Sequence, residues 1–291
     1  QELDDFVTYL GAISFDYHPS KNLSLKLTGS GFNTYENVTY DIQGQYLINL
    51  LNNVVDSETF GDSILNIGVG TYLQHARNYL DAYVYSISHK GTYYTDNNNY
   101  KWGFKYQIEE IHDKIVEWDM IDSVGYSVPY SDTEVRLARN TRSRNNLYSE
   151  RITSFIQNTF YIQSGSSELF LNAGIRAHYW TINDQLVLSP RAILSINPNW
   201  SRDIQFHMAA GYYFQPPFYK ELRDPEGVLY EDIKAQKSIH YVVGSDLNFT
   251  AWERPFIFST ELYYKYMFNL VPYKIDDVDI QRDVCEEILT S

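Results

Sequence analysis

Residues 186–220 read LVLSPRAILSINPNWSRDIQFHMAAGYYFQPPFYK, and residues 235–270 read AQKSIHYVVGSDLNFTAWERPFIFSTELYYKYMFNL. Leu186, Leu188, Pro190, Ala192, Leu194 and Ile196 alternate with Val187, Ser189, Arg191, Ser195 and Asn197. Ile204, Phe206, Met208, Ala210, Tyr212 and Phe214 alternate with Asp203, Gln205, His207, Ala209 and Gly211. The last run sets Phe256, Phe258, Leu262, Tyr264, Tyr266, Phe268 and Leu270 against Ser259, Glu261, Lys265 and Asn269. An extended strand points successive side chains to opposite faces, so this period predicts strands with one apolar and one polar face. Strands of soluble proteins usually have about 5–6 residues. These runs instead suit a tilted membrane-crossing strand, which needs about 9–11.

Composition agrees. Aromatic residues make up 16% of the 291 positions, and 27 of them are tyrosines. Tyr suits a membrane–water boundary, because its ring can be apolar-bound while its hydroxyl stays wet. No apolar run reaches the roughly 20 residues of a transmembrane helix. A barrel hides its apolar residues at every second position, so the polar mean hydropathy of −0.39 does not argue against one. The net charge of −14 excludes nucleic acid as an expected partner, since phosphate binding needs basic patches. The single cysteine, Cys285, rules out an internal disulfide and disfavours a cysteine-based metal site. Gln1 opens on polar and acidic residues, with no signal peptide, so the expectation is a mature form, a fragment or a cytosolic protein, the last disfavoured by the strand pattern.

Along the chain, Leu10 to Tyr17 and Asn22 to Phe32 predict a hairpin closed by His18-Pro19-Ser20-Lys21, with Leu23, Leu25 and Leu27 opposite in direction to Ser24, Lys26 and Thr28. Residues 33–78 read as a long mixed segment. Within it Ile42, Tyr46, Leu47, Leu50 and Leu51 have helical spacing, predicting a short amphipathic helix over Tyr40 to Asn53, a lid or a packed loop element. Tyr79 to Tyr93 is extended, and Asp96-Asn97-Asn98-Asn99 is a tight turn. Tyr100, Trp102, Phe104, Tyr106 and Ile108 then alternate with Lys101, Gly103, Lys105, Gln107 and Glu109. The strand continues through Glu110 to Asp122, too polar for lipid and expected to project beyond a membrane. Residues 123–146 read as a loop. Leu147 to Gln163 is extended, Gly165-Ser166-Ser167 turns, and Leu169, Leu171, Ala173, Ile175 and Tyr179 oppose Glu168, Asn172, Arg176 and His178. The total is about ten strands. Connections near Pro19, Asn98, Ser166, Trp200 and Trp252 are tight; those at 33–78, 123–146 and 215–235 are long, and 183–184 is the exception. Short turns on one side and long loops on the other are how outer-membrane barrels are built. The expected fold is all-β, an antiparallel transmembrane β-barrel section. A free-standing porin-like barrel and a soluble carbohydrate-binding β-sandwich stand as alternatives.

SPRAILSINPNWSRDIQFHMAAGYYFQPPFYKEL (189–222), DIKAQKSIHYVVGSDLNF (232–249) and RPFIFSTELYYKYMFNLVPY (254–273) resemble the barrel of TonB-dependent outer-membrane receptors of the Bacteroidetes-type group found in gut and oral Gram-negative anaerobes. Earlier stretches such as GFNTYENVTYDIQGQYLINL (31–50) and KWGFKYQIEEIHDKIVEWD (101–119) are compatible with it. The resemblance implies a large barrel, about 22 strands, closed around an N-terminal plug. It implies import of a scarce nutrient (siderophore, haem, cobalamin or glycan) across the outer membrane. Energy would come from TonB pulling on a plug segment absent from this chain. Outer-membrane lipid is the other implied partner. With about ten strands, no plug before Leu10, and a tail over 274–291 that loses the period and lacks a terminal aromatic strand, the chain reads as residues 1–273 of barrel section plus an irregular C-terminal tail, an internal piece of a longer receptor.

No catalytic constellation is read, and the expectation is a transporter component and not an enzyme. In Glu109-Glu110-Ile111-His112-Asp113 a strand puts Glu110 and His112 on one face and Glu109 and Asp113 on the other, below the three or four ligands of a zinc site. A solvated strand extension is the plainer reading. His178, His207 and His240 lie on polar strand faces, either lining a ligand path or bonding to neighbours. No spacing singles out a Ser–His pair. Gln215-Pro216-Pro217-Phe218-Tyr219 ends a strand, because two prolines donate nothing to a ladder. The loop it opens reads either as a ligand-contacting loop or as a rigid exit. No residue is assigned to ligand, metal or cofactor.

Overall fold

A computed structural model of the chain describes residues 2–271, 273–275 and 280–282. Its strands are β1 (Glu2–Ser20), β2 (Leu23–Leu51), β3 (Ser63–Thr95), β4 (Asn98–Ser123), β5 (Tyr126–Val128), β6 (Arg139–Ser164), β7 (Ser167–Trp180), β8 (Gln185–Asn197), β9 (Asp203–Gln215), β10 (Gln236–Ala251), β11 (Arg254–Phe268), β12 (Tyr273–Ile275) and β13 (Ile280–Arg282). β1, β2, β3, β4, β6, β7, β8, β9, β10 and β11 lie side by side in chain order, with β5 paired to β4. Every pairing is antiparallel. The path does not close: β1 and β11 are its ends. β12 and β13 pair with each other. Most of the expected tail, residues 274–291, and Cys285 with it, lies outside the described residues.

The alternation decides the two faces. Register carries it from strand to strand: Lys105 faces Thr153, Thr153 faces His178, Arg176 faces Ser189 and Arg191 faces Gly211. One face therefore collects the polar set throughout. On it Thr8 bonds Thr34, Ser14 bonds Thr28, Ser30 bonds Ser86 and Lys26 pairs with Asp16 at 3.2 Å. The other face is apolar and uncovered. Ile13, Leu186, Phe258 and Leu262 are 68%, 63%, 62% and 77% exposed, a state that water would not sustain over a whole sheet.

That apolar face has an upper limit. Tyr83 donates to Asp81 at 3.0 Å, Tyr148 to Glu150 at 3.1 Å, and Tyr179 to Asp184 at 2.8 Å. Beyond these tyrosines the same face turns polar, with Asn33 bonded to Asp81 and His112 bonded to Glu110 and Asn146. A ring in an apolar band with its hydroxyl on a carboxylate is the arrangement of an interfacial aromatic girdle. β7, β8 and β9 (14, 13 and 13 residues) match the band. β2, β3, β4 and β6 (29, 33, 26 and 26 residues) run past it, as the polar Glu110 to Asp122 stretch requires.

The connections sort by side. The β10–β11 turn is Trp252-Glu253, both at positive φ (48° and 60°), which suits a two-residue hairpin. Its side also carries the short β1–β2, β3–β4, β6–β7 and β8–β9 turns. The opposite side carries 52–62, 124–138, 181–184 and 216–235.

Three expectations need correction. The helix expected over Tyr40 to Asn53 does not form: residues through Leu51 belong to β2, paired with β3 from Leu23↔Tyr93 to Leu51↔Ser63. Ile42, Tyr46 and Leu50 fall on one face, and Leu47 and Leu51 on the other, so apolar residues on both faces of a strand mimicked helical spacing. The ladder holds the segment extended. The Tyr46 ring lies over Gly70 and the Tyr72 ring over Gly44, each directly opposite in register, where an added Cβ would come within 2.1 and 2.3 Å of ring atoms. An aromatic ring covering a cross-strand glycine restores packing that the glycine lacks. The long segments 33–78 and 123–146 accordingly shrink to 52–62 and 124–138. Residues 2–9, outside the hairpin expected from Leu10, extend β1, held by pairing with 33–40.

Candidate functional site

The connection between β9 and β10 does not project from the sheet. It folds back across the polar face over β8, β7, β6 and β4. Pro216-Pro217 stops the β9 ladder, and a single 3-10 turn, Tyr219–Leu222, follows. The buried Glu221 carboxylate accepts from the Phe218 backbone N–H at 2.7 Å and sets the entry. The Asp224 carboxylate accepts from the Val228 N–H at 2.7 Å and closes a second turn. Gly227, at φ 86°, is required there: a Cβ would meet the Ser143 side chain at 2.5 Å.

Apolar packing and polar latches fasten this loop. Leu222, fully buried, packs on Leu147 and Trp180, joined by Ile111, Ile182, Tyr219, Leu229 and Ile233. Arg223 and Tyr219 both donate to the buried Asp113 carboxylate, at 2.6 and 2.7 Å. Asn145 donates to the Gly227 carbonyl at 3.0 Å and Asn183 to the Ile233 carbonyl at 2.7 Å. Gln185 accepts from the Ala235 N–H at 2.8 Å. Burial, then the bond to Asp113, raises the Tyr219 hydroxyl well above the ordinary phenol range, so it stays a donor.

Beside the loop lies a cavity of about 340 Å³. β8 and β9 pair only from Arg191↔Gly211 to Ile196↔Phe206, so their upper ends part. The Phe214 ring reaches the His178 ring across this gap, centroids 5.2 Å apart. Lys105, Arg151, Arg176 and Arg191 line the cavity with His178 and Ser189. Arg151 stacks on Trp180 at 4.2 Å and has Glu109 at 2.9 Å. The Ser149 hydroxyl holds the other oxygen of Glu109 at 3.0 Å.

The structure divides the residues singled out in sequence. Glu109 and Asp113 share the polar face as expected, but each has its own cation, Arg151 and Arg223. Glu110 and His112 bond to each other at 3.1 Å on the opposite face. No group of three or more metal-ligating side chains occurs among the described residues. Of the histidines, His178 lines the cavity, His207 bonds Glu261 at 3.0 Å and His240 bonds Ser238 at 2.9 Å. The Gln215–Tyr219 segment is both strand terminator and the start of the inward fold. Sequence reasoning missed Leu222, Leu229 and Ile233 as anchors. The available signal was an apolar set inside a loop otherwise rich in acids, Pro and Gly.

No protein-family model matches the chain, and no curated protein matches it. Solved structures do. The RagAB peptide importer in its closed-closed state aligns at a TM-score of 0.52 and 9% identity, over 97% of this chain and 33% of that one. The copper transporter OprC aligns at 0.46 and 10% identity, over 92% of this chain and 47% of that one. The siderophore receptor PirA from Pseudomonas aeruginosa aligns at 0.38 and 12% identity, over 96% and 55%. The chain spans about a third to a half of these proteins, which are transporters and receptors and not enzymes. Identities this low speak for the fold alone, and the RagAB alignment carries that point: the chain has the all-β, antiparallel fold of a section of an outer-membrane transporter barrel.

Proposed function

We propose that the chain is wall of a TonB-dependent outer-membrane receptor that imports a scarce nutrient, with its apolar face against lipid and its polar face toward the lumen. The observation that carries this reading is the asymmetry of one continuous sheet. One face is uncovered, apolar and bounded by tyrosines; the other is polar and receives a loop folded onto it. A soluble sandwich would bury the apolar face against a second sheet. Siderophore, haem, cobalamin and glycan stay the candidate cargoes, and the Bacteroidetes-type affiliation, the plug and TonB belong to the same proposal.

The test is the mass of the native protein that carries this sequence, taken from an outer-membrane fraction. About two to three times 34.1 kDa, in line with the 33% and 47% shares of the aligned transporters, supports a plugged receptor. A mass near 34.1 kDa with heat-modifiable gel mobility marks a complete small barrel and overturns energised import. Absence from that fraction overturns the membrane reading itself.

A further inference from the structure

The chain carries a net charge of −14, yet four cations converge on one cavity. Lys105 comes from β4, Arg151 from β6, Arg176 from β7 and Arg191 from β8. Cross-strand register puts them on the polar face: Lys105 opposite Thr153, Arg151 opposite Trp180, Arg176 opposite Ser189, Arg191 opposite Gly211. Like charges on adjacent strands repel, so the arrangement costs stability while the cavity is empty. Among the described residues, Glu109 is the one carboxylate within ion-pair distance of any of the four, and it serves Arg151. Lys105, Arg176 and Arg191 have no carboxylate partner there. Arg191 has the side-chain oxygen of Gln157 at 3.5 Å, and Arg176 lies over the Phe155 ring at 5.9 Å.

Two buried polar atoms point the same way. His178 is 8% exposed, and its Nδ1 bonds the Thr153 hydroxyl at 2.8 Å. Its Nε2 is buried without a hydrogen-bond partner. When Nδ1 accepts from Thr153, Nε2 carries the ring proton and donates. Ser189 is 7% exposed, and its Oγ is likewise buried and unpartnered. Both residues line the cavity. A buried polar atom without a partner is destabilising, so two of them beside three cations without a carboxylate describe a site shaped for a missing acceptor.

We propose that this cavity binds an oxyanion group, carboxylate or phosphate, of a small ligand, with Arg176 and Arg191 as charge partners and His178 and Ser189 as neutral donors. Guanidinium forks match both groups in bidentate geometry. The volume of about 340 Å³ falls in the small-molecule range. This rests on the reading of the polar face as lumenal, and narrows the cargo to an anionic one.

The test is calorimetric titration of the full-length, detergent-solubilised protein with citrate and, separately, pyrophosphate. Saturable binding is expected, weakened by added salt and weakened about tenfold or more in R176Q and in R191Q, since a charged hydrogen bond lost exceeds the 1.4 kcal/mol of one decade. Heat-modifiable mobility confirms that each variant folds. No saturable binding of either probe, or binding unchanged in both variants, overturns the proposal. A lowered melting temperature in the variants without probe binding to the parent assigns the cations to an acidic segment of the protein itself, and also overturns it. Probe binding by a protein that imports nothing leaves the site standing and sinks the import reading, so the two failures are distinguishable.

Discussion

Arg223 Nη1 lies 2.6 Å from Asp113 Oδ2, joining residues 110 apart in the chain. Asp113 belongs to β4 and Arg223 to the connection that leaves β9, so this ion pair reaches across the intervening strands and pins a loop onto the polar face. The Asp113 side chain is 6% exposed and that of Arg223 24%. Removing one partner of a buried pair leaves the other charge uncompensated. Asp113→Asn is expected to favour opening of the loop by about 2–3 kcal/mol, at or below the low end for a buried pair because Arg223 keeps partial water contact. Limited proteolysis within 216–235 should accelerate accordingly. Cleavage at the parent rate would show that the pair does not hold the loop.

Leu222 anchors the same loop by packing. Leu222→Ala empties a fully buried site between Leu147 and Trp180, at a cost of about 2–5 kcal/mol to the closed loop. The loss is local, so hydrogen exchange should rise over 216–235 while β7 to β11 keep their protection. Uniform loss of protection across the sheet would contradict the picture of a separately opening loop.

Phe104 sits midway along the apolar alternation from Tyr100 to Ile108 and is 47% exposed. On a lipid-facing strand, Phe104→Arg near the bilayer midplane costs about 2–4 kcal/mol, whereas a solvent-facing position would hardly respond. Folding yield into lipid vesicles should therefore drop for F104R and stay near parent for K114Q, on the polar extension of the same strand. Equal yields would argue against lipid on this face.

Asp41 lies on β2 well above the tyrosine-bounded band, with Arg77 at 2.5 Å and His75 Nδ1 at 2.6 Å. The hydrogen bond from Arg77, then the one from His75, holds its carboxyl below the usual 3.8. A depressed folded-state value means stabilisation that is complete above the unfolded pKa and lost as pH falls through the lower one. Hydrogen exchange over 38–50, corrected for intrinsic rate, should be level from pH 7 to about pH 4.5 and rise only below the ordinary carboxylate range. D41N should exchange faster at pH 7 and lose that acid step. A step near pH 6 would point to a different group.

The period of two in the sequence determined which side chains share a face, because an extended backbone permits no other arrangement. Tyr100 to Ile108, Leu186 to Ile196 and Phe256 to Phe268 all lie as their alternation requires, and the turns at Asn97 and Ser166 follow from polar or left-handed-tolerant residues between alternating runs, whereas Trp252-Glu253 takes positive φ because the flanking runs of β10 and β11 pair down to Ala251↔Arg254. Tertiary pairing decided what local spacing could not. Residues 40–51 are extended because β3 supplies a hydrogen-bond ladder, the Tyr72 ring for Gly44 and a glycine, Gly70, for the Tyr46 ring to cover, and no window of neighbouring residues contains that information. The loop over 216–235 folds inward because Leu222 finds Leu147 and Trp180, and Arg223 finds Asp113, partners 42 to 110 residues away. The cation cluster is likewise a product of register. Lys105, Arg151, Arg176 and Arg191 are scattered polar-face residues in the chain, and only the pairing of β4, β6, β7 and β8 brings their charges to one cavity.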